Sequence, residues 1–215
     1  ELSDYVFIKS FVDKKLAYVG EKITVTYKLY SKLSLAGINL EALPALNGFW
    51  SQDLRSVYDQ IELSTEYIDG ETYQVAELQQ TVLYPQRSGK LEIDPLSMKV
   101  TVQVRSRRAR SMFESMFGSY ERKEVITKSR PIPIEIKPLP KQGKPADFSG
   151  AVGQFDFSLN ASKINVKSNE AIDFKVVLKG NGNLPLIGAP KIDFPPDFEV
   201  YDPETKNNFK TSFSG

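Results

Sequence analysis

A chain of 215 residues with neither cysteine nor histidine has a narrow chemical repertoire. Thiol nucleophiles, soft-metal ligand sets and imidazole bases are excluded, which leaves carboxylates, hydroxyls, lysines and tyrosines. Glu62, Glu66, Asp69 and Glu71 are grouped around one predicted hairpin, where a pair of carboxylates could in principle do acid–base work. A hairpin tip is also where solvated charges sit, and we read them so. Neither a Gly-x-Ser-x-Gly nor a Ser-x-x-Lys stretch occurs. Asp193, Asp197, Asp202, Asn207 and Asn208 are the densest set of hard oxygen ligands. They flank Pro195-Pro196 and read as loop residues. The expectation is therefore no catalytic residue, no metal site and no cofactor.

Two features point to binding instead. The stretch 105–124 opens on Arg105, Arg107, Arg108 and Arg110 and continues with Met112, Phe113, Met116 and Phe117. The two methionines are four residues apart, as are the two phenylalanines, so a short helix would gather them on one side. A solvated loop, a Met/Phe face docked on a partner protein, and contact with membrane headgroups are the three readings. Trp50 is the single tryptophan. It either fills the core beside Phe49 or forms an aromatic platform, with Tyr58 or Tyr67, for a sugar or a partner. The 28 basic and 27 acidic residues leave a net charge of +1, so nothing in the overall field suggests nucleic acid.

The elements that must position these residues read as strands. In 22–29, Ile23, Val25, Tyr27 and Leu29 alternate with Thr24, Thr26 and Lys28, the period of a half-buried strand. The stretch 98–104 repeats that alternation. Asp69-Gly70 between 61–68 and a run to Tyr84 marks a hairpin. Apolar residues on both parities of that run (Val75 and Leu83 against Leu78 and Val82) predict a bulge or a strand covered on both faces. Ile132, Ile134 and Ile136 alternate with Pro131 and Pro133, which predicts an edge strand, because proline lacks the ladder donor. No apolar run reaches the ~18 residues that a membrane helix needs. The chain opens at Glu1 without an initiator methionine and reads as a fragment.

An internal repeat sets the architecture. Phe7-Ile8-Lys9 returns as Phe155-Asp156-Phe157, and Lys15-Leu16-Ala17-Tyr18 as Lys163-Ile164-Asn165-Val166. Gly20-Glu21-Lys22-Ile23 returns as Asn169-Glu170-Ala171-Ile172, and Asp53 as Asp202. The spacing is near 148 residues, and similarity at a fixed spacing means one structural unit used twice. The expected fold is all-β, with tandem immunoglobulin-like β-sandwich domains of which the second is truncated. Residues 1–140 would form the first sandwich with an insertion at 105–124. Residues 141–152 would be a linker, and 153–215 the first part of a second, homologous domain. Asp53 and Asp202, because they recur, are expected to serve as a turn or cap. Trp50 has Glu199 at its matching place, which favours a surface position.

Several motifs then resemble a known family, the BatD or "oxygen tolerance" proteins of bacterial aerotolerance operons. They are Tyr18-Val19-Gly20-Glu21 before a strand, Gly48-Phe49-Trp50-Ser51, Tyr84-Pro85-Gln86 with Ser88-Gly89-Lys90-Leu91, and Lys137-Pro138-Leu139-Pro140 leading to Asp147-Phe148-Ser149-Gly150. Phe198-Glu199-Val200-Tyr201-Asp202-Pro203 is the last. The resemblance implies a non-catalytic, periplasmic ectodomain anchored in the membrane by a segment outside this sequence. It also implies partners with von Willebrand A-type domains encoded in the same operon. Such domains often complete a bound metal ion with a ligand's carboxylate, and Asp69 or Glu71 could provide one. The alternative function is a carbohydrate-binding module.

Overall fold

Among the described residues, eleven strands build the first of two units, Glu1–Leu139. They are β1 (Val6–Val12), β2 (Leu16–Tyr18), β3 (Ile23–Ser31), β4 (Ser34–Ala42), β5 (Phe49–Arg55), β6 (Leu63–Ile68), β7 (Glu71–Pro85), β8 (Gly89–Ile93), β9 (Ser97–Arg105), β10 (Tyr120–Lys128) and β11 (Ile132–Lys137). The computed structural model describes residues 2–105 and 120–208. The largest sheet runs β1-β3-β7-β5. The far edge of β7 is shared, with β6 along its first half and β5 along its second. Two three-stranded sheets, β10-β9-β4 and β2-β11-β8, share one core with it. The fold is all-β, as the alternation predicted, and the first unit is an immunoglobulin-like sandwich.

The core follows from the period-two pattern. Ile23, Val25, Tyr27 and Leu29 of β3 are all fully buried, as are Leu83 of β7 and Val100 and Val102 of β9. Each such apolar side chain contributes roughly 1.5–3 kcal/mol on leaving water. Tyr27 carries a hydroxyl into this core and satisfies it by donating to the Asp94 carbonyl at 2.9 Å. The Asp94 carboxylate in turn accepts the Leu46 N–H at 3.1 Å, where Leu46 holds a φ of 52°.

The bulge expected in β7 is present. Tyr27 stands opposite Gln79 and Lys28 opposite Glu77, so Leu78 is the extra residue. It is fully buried. The bulge moves the inward parity from even to odd positions, which is why apolar residues occur on both.

Two expectations are corrected. β11 is no edge strand: it lies between β8 and β2. Its prolines are tolerated because β2 covers only Glu135, Ile136 and Lys137. The Glu135 N–H reaches the Lys15 carbonyl on that side. Pro133, two residues earlier, aims its missing donor to the same side but beyond the covered stretch. The insertion is also shorter than 105–124. Tyr120–Lys128 is a full strand, antiparallel to Ser97–Arg105 from end to end, so only 106–119 lies between the strands. Its first five residues are exposed. A strand wet on both faces carries no alternation to read.

The second unit, Pro140–Gly215, contains β12 (Gly153–Ala161) paired antiparallel with β13 (Phe174–Gly182). The register of this ladder corresponds to that of β1 on β3 at a spacing of 149. Val6 stands opposite Ser31, and Phe155 opposite Gly180, each residue displaced by 149. The ion pair Lys14–Glu21 (2.8 Å) returns as Lys163–Glu170 (3.7 Å). Gly20 at φ 77° returns as Asn169 at φ 67°. The turn bond from the Glu21 N–H to the Tyr18 carbonyl returns from Glu170 to Lys167. Phe155 thus matches Val6 rather than Phe7, and Lys163 matches Lys14 rather than Lys15. A spacing shorter by one would have turned inward residues outward.

Within this unit Asn183 is buried and binds the preceding segment. Its amide donates to the Gly150 carbonyl and accepts the Val152 N–H, both at 2.8 Å. No helix among the described residues is long and apolar enough to cross a membrane.

Candidate interaction surface

The outer face of the five-stranded sheet carries what the core pattern does not explain. Directly opposite residues share a face, so Phe7 with Tyr30, and Tyr30 with Val75, project away from the core. Phe7 stacks on Tyr30 with ring centroids 5.5 Å apart and planes inclined by 13°. Tyr73 meets both rings edge-on, at 5.7 and 6.2 Å. Offset and edge-on geometries suit the quadrupoles of aromatic rings. Two lysines cover the cluster: Lys9 Nζ lies 5.4 Å from the Phe7 and Tyr30 centroids, and Lys32 Nζ lies 5.3 Å from that of Tyr73. Tyr30 is almost entirely covered, while Phe7 and Tyr73 remain half-buried.

Charges around the cluster are paired. Lys28 meets Glu66 at 3.5 Å, Lys32 meets Glu71 at 3.4 Å, and the Arg55 Nε meets Glu77 at 3.7 Å. These pairs are partly exposed, so each contributes at most about 1 kcal/mol. They add little to the stability of the fold. Beside the cluster, β6 and β7 join through Asp69 (φ 51°) and Gly70 (φ 82°). Two successive positive φ values match the twist of a two-residue hairpin turn, which is why this dipeptide stands there.

Trp50 occupies the other end of the same face. It is paired with Tyr84 in the sheet, and its ring rests on Tyr84 at 5.7 Å with a 47° tilt. Phe49, on the other face, packs against the core. Trp50 is therefore not the core residue beside Phe49. Nor does it form a platform with Tyr67, which lies at the tip of β6. Tyr84 stands eleven positions after Tyr73 on β7, roughly 35 Å along the strand. Arg105 is also remote from Trp50. It ends β9 at the pole where Lys32 bonds the Tyr5 carbonyl and Leu35 bonds Gln74. Arg107, Arg108, Arg110, Met112, Phe113, Met116 and Phe117 lie outside the described residues.

Several of the remaining sequence candidates are engaged within the fold. Asp53 makes no turn or cap. It sits in β5, where its Oδ1 accepts from Thr81 Oγ1 at 2.6 Å and from Gln79 Nε2 at 3.0 Å. Asp193 is paired with Lys191 at 3.4 Å, and no acidic group able to hold a metal ion is found among the described residues. Glu71 is engaged by Lys32, whereas Asp69 projects from the hairpin tip.

Three buried or half-buried tyrosines give this unit an alkaline weakness. Burial raises the phenol pKa of Tyr27, helped by nearby Asp94, and that of Tyr84. For Tyr30, burial acts first and the carboxylate of Glu66 adds to it. A raised folded value means that the folded unit holds its protons more tightly than the unfolded chain. This stabilisation is complete below the ordinary phenol value of 10.0 and is lost as pH rises through the folded values. The urea midpoint is expected to hold steady up to about pH 9 and to fall above pH 10. Tyr27→Phe should flatten that fall.

Comparison with known proteins supplies the remaining observation. A family model described as the BatD DUF11 like domain matches residues 10–136. The chain belongs to the BatD family. The match covers β2 to most of β11 and therefore nearly the whole first sandwich. No curated protein and no solved structure gave a significant match. BatD is a membrane-associated family with an extracytoplasmic domain, and it is not a known family of enzymes. Nothing in the sequence singled out the Phe7, Tyr30 and Tyr73 cluster of this BatD domain. Only the pairing register, which places positions 7, 30 and 73 on one face, reveals it.

Proposed function

We propose that this BatD-family chain is a non-catalytic scaffold on the periplasmic side of a membrane, held there by an anchor outside this sequence, and that it serves aerotolerance by binding other proteins. The carrying observation is the Phe7, Tyr30 and Tyr73 cluster. Aromatic side chains are enriched in protein interfaces, and the charges beside this cluster are already paired. The exact recurrence of register, ion pair and left-handed residue at a spacing of 149 supports a second immunoglobulin-like domain after the first. Tandem rigid sandwiches suit a spacer that presents one surface away from its anchor.

The partners we propose are the von Willebrand A-type domain proteins encoded in the same operon. Asp69, exposed at the hairpin tip beside the aromatic cluster, is the carboxylate best placed to complete a metal ion held by such a domain. Glu71 is already paired. The test is a pull-down with those proteins, with and without Mg²⁺, for the wild type and Asp69→Asn. Binding that needs Mg²⁺ and is lost in the variant is expected. No binding in either condition would sink the proposal.

A further inference from the structure

The opposite face of the first sandwich has a different character. On the outer side of the β10-β9-β4 sheet, register places Arg105 opposite Tyr120, Gln103 opposite Arg122, Thr101 opposite Glu124, Lys99 opposite Ile126 and Ser97 opposite Lys128. These residues share a face because their neighbours Met98, Val100 and Val102 point into the core. On β9 and β10 four cations, Lys99, Arg105, Arg122 and Lys128, thus stand with one carboxylate, Glu124, and β4 adds Asn39 beside Lys99 and the exposed Glu41 at its bulge. None of the four forms an ion pair with a described residue. On the five-stranded sheet, by contrast, Lys28, Lys32 and Arg55 are each paired with a glutamate. In a chain whose net charge is only +1, this face carries more cations than carboxylates.

We propose that this face docks on anionic lipid headgroups. A protein interface has a centre depleted of charge, whereas the middle of this face is Lys99, Thr101 and Glu124. A layer of anionic headgroups requires only cations spread over a flat surface and a few amphipathic side chains at their level. Tyr120 (67% exposed) and Ile126 (60% exposed) meet the second requirement. The proposal rests on the membrane-proximal setting given above. It adds an orientation: the cationic sheet lies on the bilayer, and the aromatic cluster of the other sheet faces away from it.

The test uses the chain alone, without partner proteins, so that its outcome is independent of the pull-down. It is mixed with vesicles of phosphatidylglycerol and phosphatidylcholine in about equal parts, or of phosphatidylcholine only, and sedimented. Sedimentation with the anionic vesicles alone, abolished by high salt, is expected. Each cation near an anionic surface changes partitioning about five-fold. Arg122→Gln with Lys128→Gln should therefore lower it about 25-fold, while Lys28→Gln with Arg55→Gln leaves it unchanged. Thermal melts of both double variants check that they fold. Equal sedimentation with neutral vesicles, no sedimentation, or an undiminished Arg122/Lys128 variant overturns the proposal. So does capture of an acidic protein by this face without vesicle binding, which assigns the face to a protein partner.

Discussion

Tyr27→Ala is expected to destabilise the first sandwich by about 3–5 kcal/mol, the usual cost of removing a buried aromatic ring. Tyr27 is fully buried between Val25 and Leu29, and its loss opens a cavity that a close-packed β-sandwich can only partly refill. It also holds the loop that follows β8, because its hydroxyl donates to the Asp94 carbonyl while the Asp94 side chain holds Leu46. Tyr27→Phe keeps the ring and loses only that bond, for about 1 kcal/mol. Against a total of about 5–15 kcal/mol, the first change is severe and the second mild. Trp50 is the single tryptophan and belongs to this unit, so its fluorescence during urea unfolding reports on the first sandwich alone. A loss below about 1 kcal/mol for Tyr27→Ala would show that the ring is no keystone.

Tyr73→Ala should weaken partner binding about 30-fold or more, the effect of removing an aromatic hot-spot residue. Its ring is half-buried against Phe7 and Tyr30 and lies under Lys32, so it is held rigidly and adds contact area without much ordering cost. Trp50→Ala is the matched control. Trp50 lies roughly 35 Å along β7 from the cluster, beyond the width of a compact patch of about 800 Å², and should change affinity less than about three-fold. Titration of the purified partner against both variants, at the Mg²⁺ concentration that supports wild-type binding, separates them. A larger effect from Trp50 would move the interface to the other end of the sheet.

The strands with a buried face were legible. Those of 22–29 and 98–104, and the 69–70 hairpin, carry their period in plain view because one parity faces a dry core. Leu78 and its neighbours announced a bulge by breaking that period. β4 did not stand out, since register shifts near Gly37 and Ala42 interrupt its alternation. β10 was read as part of an insertion, because its charged first half is exposed on both faces. The prolines of β11 pointed to an unpaired side correctly, but the partner strand β2 is only three residues long and leaves that side open.

The candidate site was much less legible than the fold. Rarity drew attention to Trp50, yet its ring rests on Tyr84 far from the aromatic cluster. Phe7, Tyr30 and Tyr73 are unremarkable strand residues until β1, β3 and β7 are placed side by side. Three residues from three strands meet through pairing, which no local pattern records. The likeness between 7–53 and 155–202 was legible in residue types at a spacing near 148, whereas the registers of β1 on β3 and β12 on β13 correspond at 149.

The claim that most needs testing is that the outer face of the five-stranded sheet is where a partner binds. Hydroxyl-radical footprinting of the chain, free and in complex with a co-encoded von Willebrand A-type protein, reads that face directly, because aromatic side chains are readily labelled. The account predicts protection of Phe7 and Tyr73 in the complex, with Trp50, Tyr120 and Ile126 labelled as in the free chain. Protection confined to Trp50, or to Tyr120 and Ile126, with Phe7 and Tyr73 unchanged, would contradict it.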